Sequence, residues 1–114
     1  MVRVLIDEDI DIEFRHHVAE SAAVETVQYR GWKGIKNGDL LRRAESDFDA
    51  FITMDDNLPH QQNLAAFDLC VLILRARSKK LPDLIDCLPA LKVAMMDLKS
   101  GTAVRIYPPD SGSA

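Results

Sequence analysis

Carboxylates follow two apolar runs of the sequence at the point where each run ends. The run Val2–Ile6 is apolar apart from Arg3 and leads into Asp7, and the run Ala50–Met54 leads into Asp55. If the two runs form neighbouring parallel strands, their carboxyl ends share the crevice in which open α/β sheets bind ligands. Carboxylates gathered in one crevice repel each other, and a hard divalent cation with oxygen ligands removes that repulsion. A bound Mg²⁺ or Mn²⁺ can activate water and stabilise charge that develops on a phosphate.

Other acidic residues near these positions divide into candidate ligands and helix-start residues. Asp39 lies in the first turn of a predicted helix, where the helix dipole favours a carboxylate, and we expect it to be the third carboxylate of the site. Asn37 precedes Gly38 and a short helical pattern, which is typical of a helix cap. Asp9 and Asp11 open the first predicted helix, where an acid typically caps the helix or faces water. The predicted catalytic residues are Asp7, Asp39 and Asp55, and the predicted metal ligands are Asp7, Glu8, Asp39, Asp55 and Asp56.

Basic side chains on the same side of the predicted sheet are candidates for contacts with phosphates. Arg75 and Arg77 follow the apolar run Leu69–Leu74, His60 follows Asp55 closely, and Lys36 precedes the helix of Asp39. The formal net charge of the chain is -4, from 14 basic and 18 acidic residues, which is not typical of a nucleic-acid binder. Steering of a polyanion depends on the local field, so these basic residues could still flank the acidic centre. The alternative is that they form a solvated face.

The order of these patterns predicts one α/β domain. Strands that alternate with helices indicate βαβ units and a mostly parallel sheet covered on both faces. We expect the domain to span residues 1–107 and a frayed tail to span 108–114, which is rich in Gly, Ser and Pro. The strands are predicted over 2–6, 24–29, 50–54, 69–74 and 103–107, and helices over 10–21, 39–45 and 81–98, with a break or kink at Pro89.

The cysteines and the apolar runs of the sequence indicate the cellular compartment. Cys70 and Cys87 both lie in apolar patterns, which is typical of buried thiols and not of a disulfide framework. No apolar run approaches the roughly 20 residues that span a bilayer. Acidic residues begin at Asp7, so we expect no secretory signal in this segment. We therefore expect a cytoplasmic protein that does not enter a membrane.

The combined order of four segments resembles a known family. The segments are LIDED, GWKGIKNGDLLRRAE, ITMDDNLPHQQNL and VLILRARS. They resemble the small PIN-like proteins of a domain-of-unknown-function family, which are related to the PIN domains of VapC-type toxins, and the resemblance spans roughly residues 2 to 107. It implies a three-layer α/β/α PIN-like fold with a central, mostly parallel sheet. It further implies a ribonuclease that depends on Mg²⁺ or Mn²⁺, a small antitoxin partner and a homodimer.

The resemblance also assigns residues. The strand-end aspartate of the family falls on Asp7 with Glu8 beside it, the aspartate of the Thr-x-Asp motif falls on Asp55, and the helix-start acid falls on Asp39. Many relatives place an acid where this chain has Asn37, which weakens the expected site. The first alternative is therefore a non-catalytic PIN-like binding or scaffold protein. A receiver-type signalling domain is a second alternative, but it needs a Lys after its last strand, and Pro108 follows Tyr107 here.

Overall fold

The protein is an α/β domain built on one parallel five-stranded sheet. A computed structural model describes residues 1–109. Helices cover both faces of the sheet, so the fold has three layers in the order α/β/α. The strands are β1 (Arg3–Ile6), β2 (Ala23–Thr26), β3 (Ala50–Thr53), β4 (Cys70–Leu74) and β5 (Ala103–Ile106). The helices are α1 (Phe14–Val18), α2 (Asn37–Ala44), α3 (Leu58–Gln61), α4 (Leu81–Ile85) and α5 (Leu88–Met95), and Leu64–Ala66 forms a 3₁₀ turn.

The strand order places β1 and β3 next to each other at the centre of the sheet. The order is β2-β1-β3-β4-β5, and all four pairings are parallel. From β1 the chain first adds β2 on one side and then crosses to add β3 on the other. This reversal between β1 and β3 is a topological switch point, outside which open α/β sheets bind their ligands. The predicted three-layer α/β/α class with a central parallel sheet is confirmed, and the two predicted strands are parallel neighbours whose carboxyl ends lie at the same edge of the sheet.

Each face of the sheet buries its own hydrophobic cluster. On one face Phe14 of α1, Leu84 of α4 and Leu91 of α5 pack against alternate strand residues. On the other face Leu41 of α2 and Leu58 of α3 pack against the intervening residues. Every residue of β3 and β4 is buried, as expected for the inner strands of a parallel sheet that is covered on both sides. This packing holds the exits of β1 and β3 in fixed positions.

Two predicted helices are shorter in the structure. The first covers only Phe14–Val18, and backbone turns that begin after Asp7 precede it. The predicted helix over 81–98 is two helices, α4 and α5, joined at Asp86 and Cys87. Pro89 lacks an N–H and is tolerated in the first turn of a helix, so the second helix begins just before it. The predicted break is confirmed.

The predicted tail lies mostly outside the described residues, which end at Pro109. Pro108 and Pro109 follow β5 without regular secondary structure, and the Pro109 carbonyl accepts a hydrogen bond from Arg77 at 3.1 Å. No helix of residues 1–109 is long and apolar enough to cross a membrane.

Candidate active site

The hydroxyl of Thr53 joins the ends of β1 and β3. Thr53 is the last residue of β3 and is fully buried. Its Oγ1 lies 2.7 Å from Asp7 Oδ2 and 3.3 Å from Asp9 Oδ2, and it accepts a hydrogen bond of 3.1 Å from the Asp55 amide. The Met54 amide donates to the same Asp9 oxygen at 3.1 Å. Asp7 and Asp9, called the acidic pair below, therefore face each other across one hydroxyl.

One hydroxyl hydrogen cannot serve two carboxylates at once. In the first arrangement Thr53 donates to an ionised Asp7, and Asp9 Oδ2 accepts only from the Met54 amide. In the second arrangement Asp7 carries a proton and donates it to Thr53, which then donates to Asp9. Burial and the charge of Asp9 raise the pKa of Asp7 to about 6, so the second arrangement prevails below about pH 6 and the first above it. Burial also raises the pKa of Asp9 above its ordinary value, against the lowering effect of the amide and hydroxyl donors and of Lys79.

The second oxygen of Asp9 is unsatisfied. Asp9 Oδ1 is buried and has no hydrogen-bond partner among residues 1–109. A buried acceptor without a donor costs about 1–3 kcal/mol, and more where the group is charged. A cation or a ligand donor at this oxygen would remove that cost.

Asp55 is oriented by neutral donors. The amide of Asn57 donates to its Oδ1 at 3.0 Å, and the side-chain amide of Asn37 donates to its Oδ2 at 3.3 Å. Asn37 is the first residue of α2, and Lys36 precedes it in the cap position without a side-chain cap bond. The prediction that Asn37 caps the helix is therefore wrong, because its side chain is turned to Asp55.

Asp39 does not join the other carboxylates. Its side chain is 67% exposed and lies 3.5 Å from Arg42, one turn along the same helix. No group of three or more His, Cys, Asp or Glu side chains among residues 1–109 is placed to hold a metal ion, so Asp39 does not complete such a group with Asp7 and Asp55. The structure thus brings together Asp7 and Asp55, which the sequence assigns to the site, and leaves Asp39 on the surface of α2.

The neighbours of the strand-end aspartates make structural contacts. Arg105 donates to Asp56 at 2.7 Å, and Arg75 lies 2.9 Å from its other oxygen. The hydrogen bond from Arg105, then the charges of both arginines, lower the pKa of Asp56. Glu8 accepts a hydrogen bond from the Gly34 amide at 2.9 Å, which docks the loop before α2 near the end of β1. Asp56 and Glu8 therefore have protein partners already.

The predicted substrate-binding residues occupy different positions. Arg75 forms the ion pair with Asp56 but keeps 40% of its side chain exposed. Arg77 lies 3.5 Å from Asp86 and donates a hydrogen bond to the Pro109 carbonyl. His60 is exposed on α3, and Lys36 is exposed beside Asn37.

The donor set limits the kind of metal site. No group of three or more His, Cys, Asp or Glu side chains within 1–109 is arranged to hold a metal ion. Mg²⁺ usually keeps several waters and takes only one or two protein carboxylates together with substrate phosphates. The acidic pair offers two carboxyls and one oxygen without a hydrogen-bond partner among residues 1–109, which is too few ligands for an all-protein cage.

Two residues of the network were not assigned to the site from the sequence. Asp9 was expected to cap α1 or face water, and that prediction is wrong because its side chain is bound to the end of β3. Thr53 lies in the Thr-x-Asp motif, but its hydroxyl was not predicted to contact the aspartates. The available signal was the polar Thr53 at the end of a fully apolar strand and the Asp-x-Asp spacing of Asp7 and Asp9. Asp11, in contrast, accepts from the Glu13 amide before α1, as expected.

Comparisons with protein-family models, with curated proteins and with solved structures find no match for this chain.

Proposed function

We propose that this protein is a metal-dependent ribonuclease that hydrolyses RNA phosphodiester bonds at the acidic pair. The observation that carries the proposal is the unsatisfied, buried Oδ1 of Asp9 beside a second carboxyl with a raised pKa. Perturbed carboxyls that converge at a switch point are typical of functional sites, although structural ion pairs also perturb pKa values. Within residues 1–109 the pair has no basic partner in hydrogen-bond contact, so a structural ion pair does not account for it.

Each residue has a stated part in this mechanism. Asp7 and Asp9 would hold Mg²⁺ or Mn²⁺, and Asp7 would release its proton as the metal binds. Thr53 fixes the separation of the two carboxyls, and the Met54 amide orients Asp9. The metal, when bound, supplies an activated water and stabilises charge on the phosphate. Asp55, held by Asn37 and Asn57, lies close enough for its charge to act on Asp9 and would position that water.

Basic residues next to the site would attract the phosphates. Arg75 and Arg105 are only partly neutralised by their shared partner Asp56, because two guanidinium groups face one carboxylate. Arg75 and Arg105 keep 40% and 35% of their side chains exposed. This local excess of positive charge supports binding of a polyanion by a chain whose formal net charge is -4.

The cellular compartment, the family, the substrate and the partner protein are parts of the same proposal. We infer a cytoplasmic protein of the PIN-like group, with RNA as substrate and a small antitoxin protein as partner. These parts rest on the four resembling segments. Expression of the wild-type chain should slow the growth of a bacterial host, and an Asp9→Asn chain should not.

A cleavage assay tests the activity directly. Single-stranded RNA should be cut by the purified chain in Mn²⁺ or Mg²⁺ and left intact in EDTA. Asp9→Asn should abolish most of the cleavage, whereas Asp11→Asn, an exposed aspartate of the same segment, should keep it. Cleavage that persists in EDTA, or that is equal in the two variants, would refute the assignment.

The second candidate is a non-catalytic RNA-binding or scaffold protein. The lack of a three-ligand cluster within residues 1–109 and the neutral Asn37 beside Asp55 favour it. In that case the wild-type chain would bind RNA with the same affinity in Mn²⁺ and in EDTA and would cut none of it.

A further inference from the structure

A cavity of about 590 Å³ lies at the free edge of β2, next to the strand that carries the acidic pair at its end. Its wall includes Ile12 and Arg15, which follow Asp9 along the chain, and Gln28 and Tyr29, which follow β2. No residue of the acidic pair lines it. Ligand sites typically have volumes of about 300–1,000 Å³, so the cavity is large enough for a nucleoside.

One polar atom of the cavity wall has no protein partner. Oε1 of Gln28 is buried, and it accepts no hydrogen bond from any residue between 1 and 109. A buried amide oxygen without a donor destabilises the fold. Because Gln28 lines the cavity, a turn of its side-chain amide would present this oxygen to a ligand that brings an N–H group.

The same wall exposes apolar and aromatic surface. Tyr29 is 81% exposed, although large aromatic side chains usually bury most of their area, and Ile12 is 42% exposed. Proteins that bind single-stranded nucleic acid stack unpaired bases on exposed aromatic rings of this kind. Tyr29 therefore offers a stacking surface beside the unsatisfied amide of Gln28.

The charge of the cavity favours an anion. Arg15 donates one N–H to the Ile12 carbonyl at 2.8 Å and forms no salt bridge with any described residue, so its charge is not neutralised. The acid in the wall, Glu25, is paired with Arg30 at 2.6 Å. The free charge at this cavity is therefore positive, which suits a phosphate.

We propose that this cavity binds one unpaired base of the RNA strand whose phosphate lies at the acidic pair. Tyr29 stacks on the base, Gln28 accepts a hydrogen bond from its exocyclic amino group, and Arg15 contacts the adjoining phosphate. Adenine suits the site because a glutamine amide can meet its amino group and a ring nitrogen together, whereas uracil has no amino group. The inference rests on the proposed function for the identity of the polymer but not for the metal chemistry.

Binding of labelled RNA in EDTA tests the inference without cleavage. By fluorescence anisotropy, the wild-type chain should bind hexa-adenylate more tightly than hexa-uridylate. Tyr29→Ala should weaken binding of both by about tenfold, the usual effect of removing one stacked base contact. Tyr107→Ala is the control, because Tyr107 is the other tyrosine and follows β5 at the opposite edge of the sheet. It should change the affinity for neither oligomer. Gln28→Leu should remove the preference for adenine, and Gln61→Leu on α3 should keep it.

Three results would overturn the inference. The first is equal binding of the two oligomers by the wild-type chain, and the second is an unchanged preference for adenine in Gln28→Leu. The third is binding of adenosine monophosphate as tight as that of hexa-adenylate, which would indicate that the ligand is a free nucleotide. Asp9→Asn should lose cleavage and keep the preference for adenine. Failure of the nuclease proposal therefore appears as missing cleavage with intact base preference. Failure of this inference appears as cleavage whose base preference does not depend on Gln28.

Discussion

The side-chain amide of Asn37 lies 3.3 Å from Oδ2 of Asp55 and donates a hydrogen bond to it. This contact joins the first turn of α2 to the exit of β3 and gives Asp55 a neutral partner. With an acid at position 37, two carboxylates would face each other at this point. The residue at 37 thus decides whether the cleft holds an isolated Asp55 or a second acidic pair.

Asn37→Asp should therefore increase the affinity for divalent metal and decrease stability in its absence. The added carboxylate repels Asp55 until a cation lies between them. Isothermal titration with Mn²⁺ and thermal unfolding in EDTA measure the two effects. Asn63→Asp, at an exposed asparagine before the 3₁₀ turn, is the control for added charge. Unchanged Mn²⁺ affinity would mean that position 37 does not face the metal.

Stability should depend on pH through Asp7. The ordinary pKa of 3.8 applies to the unfolded chain, and burial raises the pKa to about 6 in the fold. The folded state therefore holds a proton that the unfolded chain has released, so this contribution is full below about pH 4 and is lost as the pH rises through about 6. The loss is at most about 3 kcal/mol, since one pKa unit corresponds to about 1.4 kcal/mol.

Asp7→Asn should remove that loss. Like a protonated carboxyl, the Asn amide can donate to Thr53 while its oxygen accepts from the Glu8 amide, which donates to Asp7 Oδ1 at 2.8 Å. The gain in unfolding free energy of the variant over wild type should be larger at pH 7 than at pH 4, because only the wild type loses the contribution of Asp7 as the pH rises. Urea unfolding at the two pH values gives the difference, with Asp11→Asn as a surface control. A wild-type chain as sensitive to pH as the variant would contradict the raised pKa.

Thr53→Val should destabilise the fold although it preserves the shape of the side chain. It leaves the Asp55 amide and the acidic pair without the shared hydroxyl, and a buried unsatisfied group costs about 1–3 kcal/mol. Thr53→Ser keeps the hydroxyl and should keep metal binding. Urea unfolding and Mn²⁺ titration on both variants distinguish the contribution of the hydroxyl from that of the methyl group. Equal stability of Thr53→Val and wild type would show that the network adds nothing.

Asp39→Asn should leave metal binding intact. Its carboxylate is exposed and paired with Arg42, and an exposed helical pair of this spacing contributes only about 0.2–0.5 kcal/mol. Asp9→Asn, in contrast, should weaken Mn²⁺ binding by roughly 10- to 100-fold or more, since even residues behind a ligand have effects of that size. Titration of both variants compares them directly. A loss in Asp39→Asn alone would restore the assignment made from the sequence.

The sequence predicts the inner strands of the sheet well because β3 and β4 are buried on both faces. β3 and β4 are continuous apolar runs, and each strand end is marked by a polar residue such as Thr53 or by Arg75 just after it. The parallel order and the meeting of β1 and β3 follow from short strands that alternate with helices. Strand ends were misplaced by only a few residues, because the pattern does not show where pairing stops.

The side-chain assignments are harder because they depend on rotation about single bonds. Asp9 and Asp39 both lie near the start of a helical pattern, and a sequence pattern cannot distinguish them. The irregular turns after Asp7 bring Asp9 back under the end of β3, whereas the regular turn of α2 points Asp39 to solvent. The same holds for Asn37, whose partner lies 18 residues away on another element.

The bond between Thr53 and Asp7 also has a consequence for how the chain folds. It connects residues 46 positions apart, so the site does not exist in any local segment and forms only when β3 has docked on β1. A chain leaving the ribosome carries Asp7 and Asp9 fully hydrated until that moment. Mutual repulsion of the acids therefore opposes the docking of β3 on β1, and we expect a divalent ion present at that step to accelerate refolding as well as to stabilise the product.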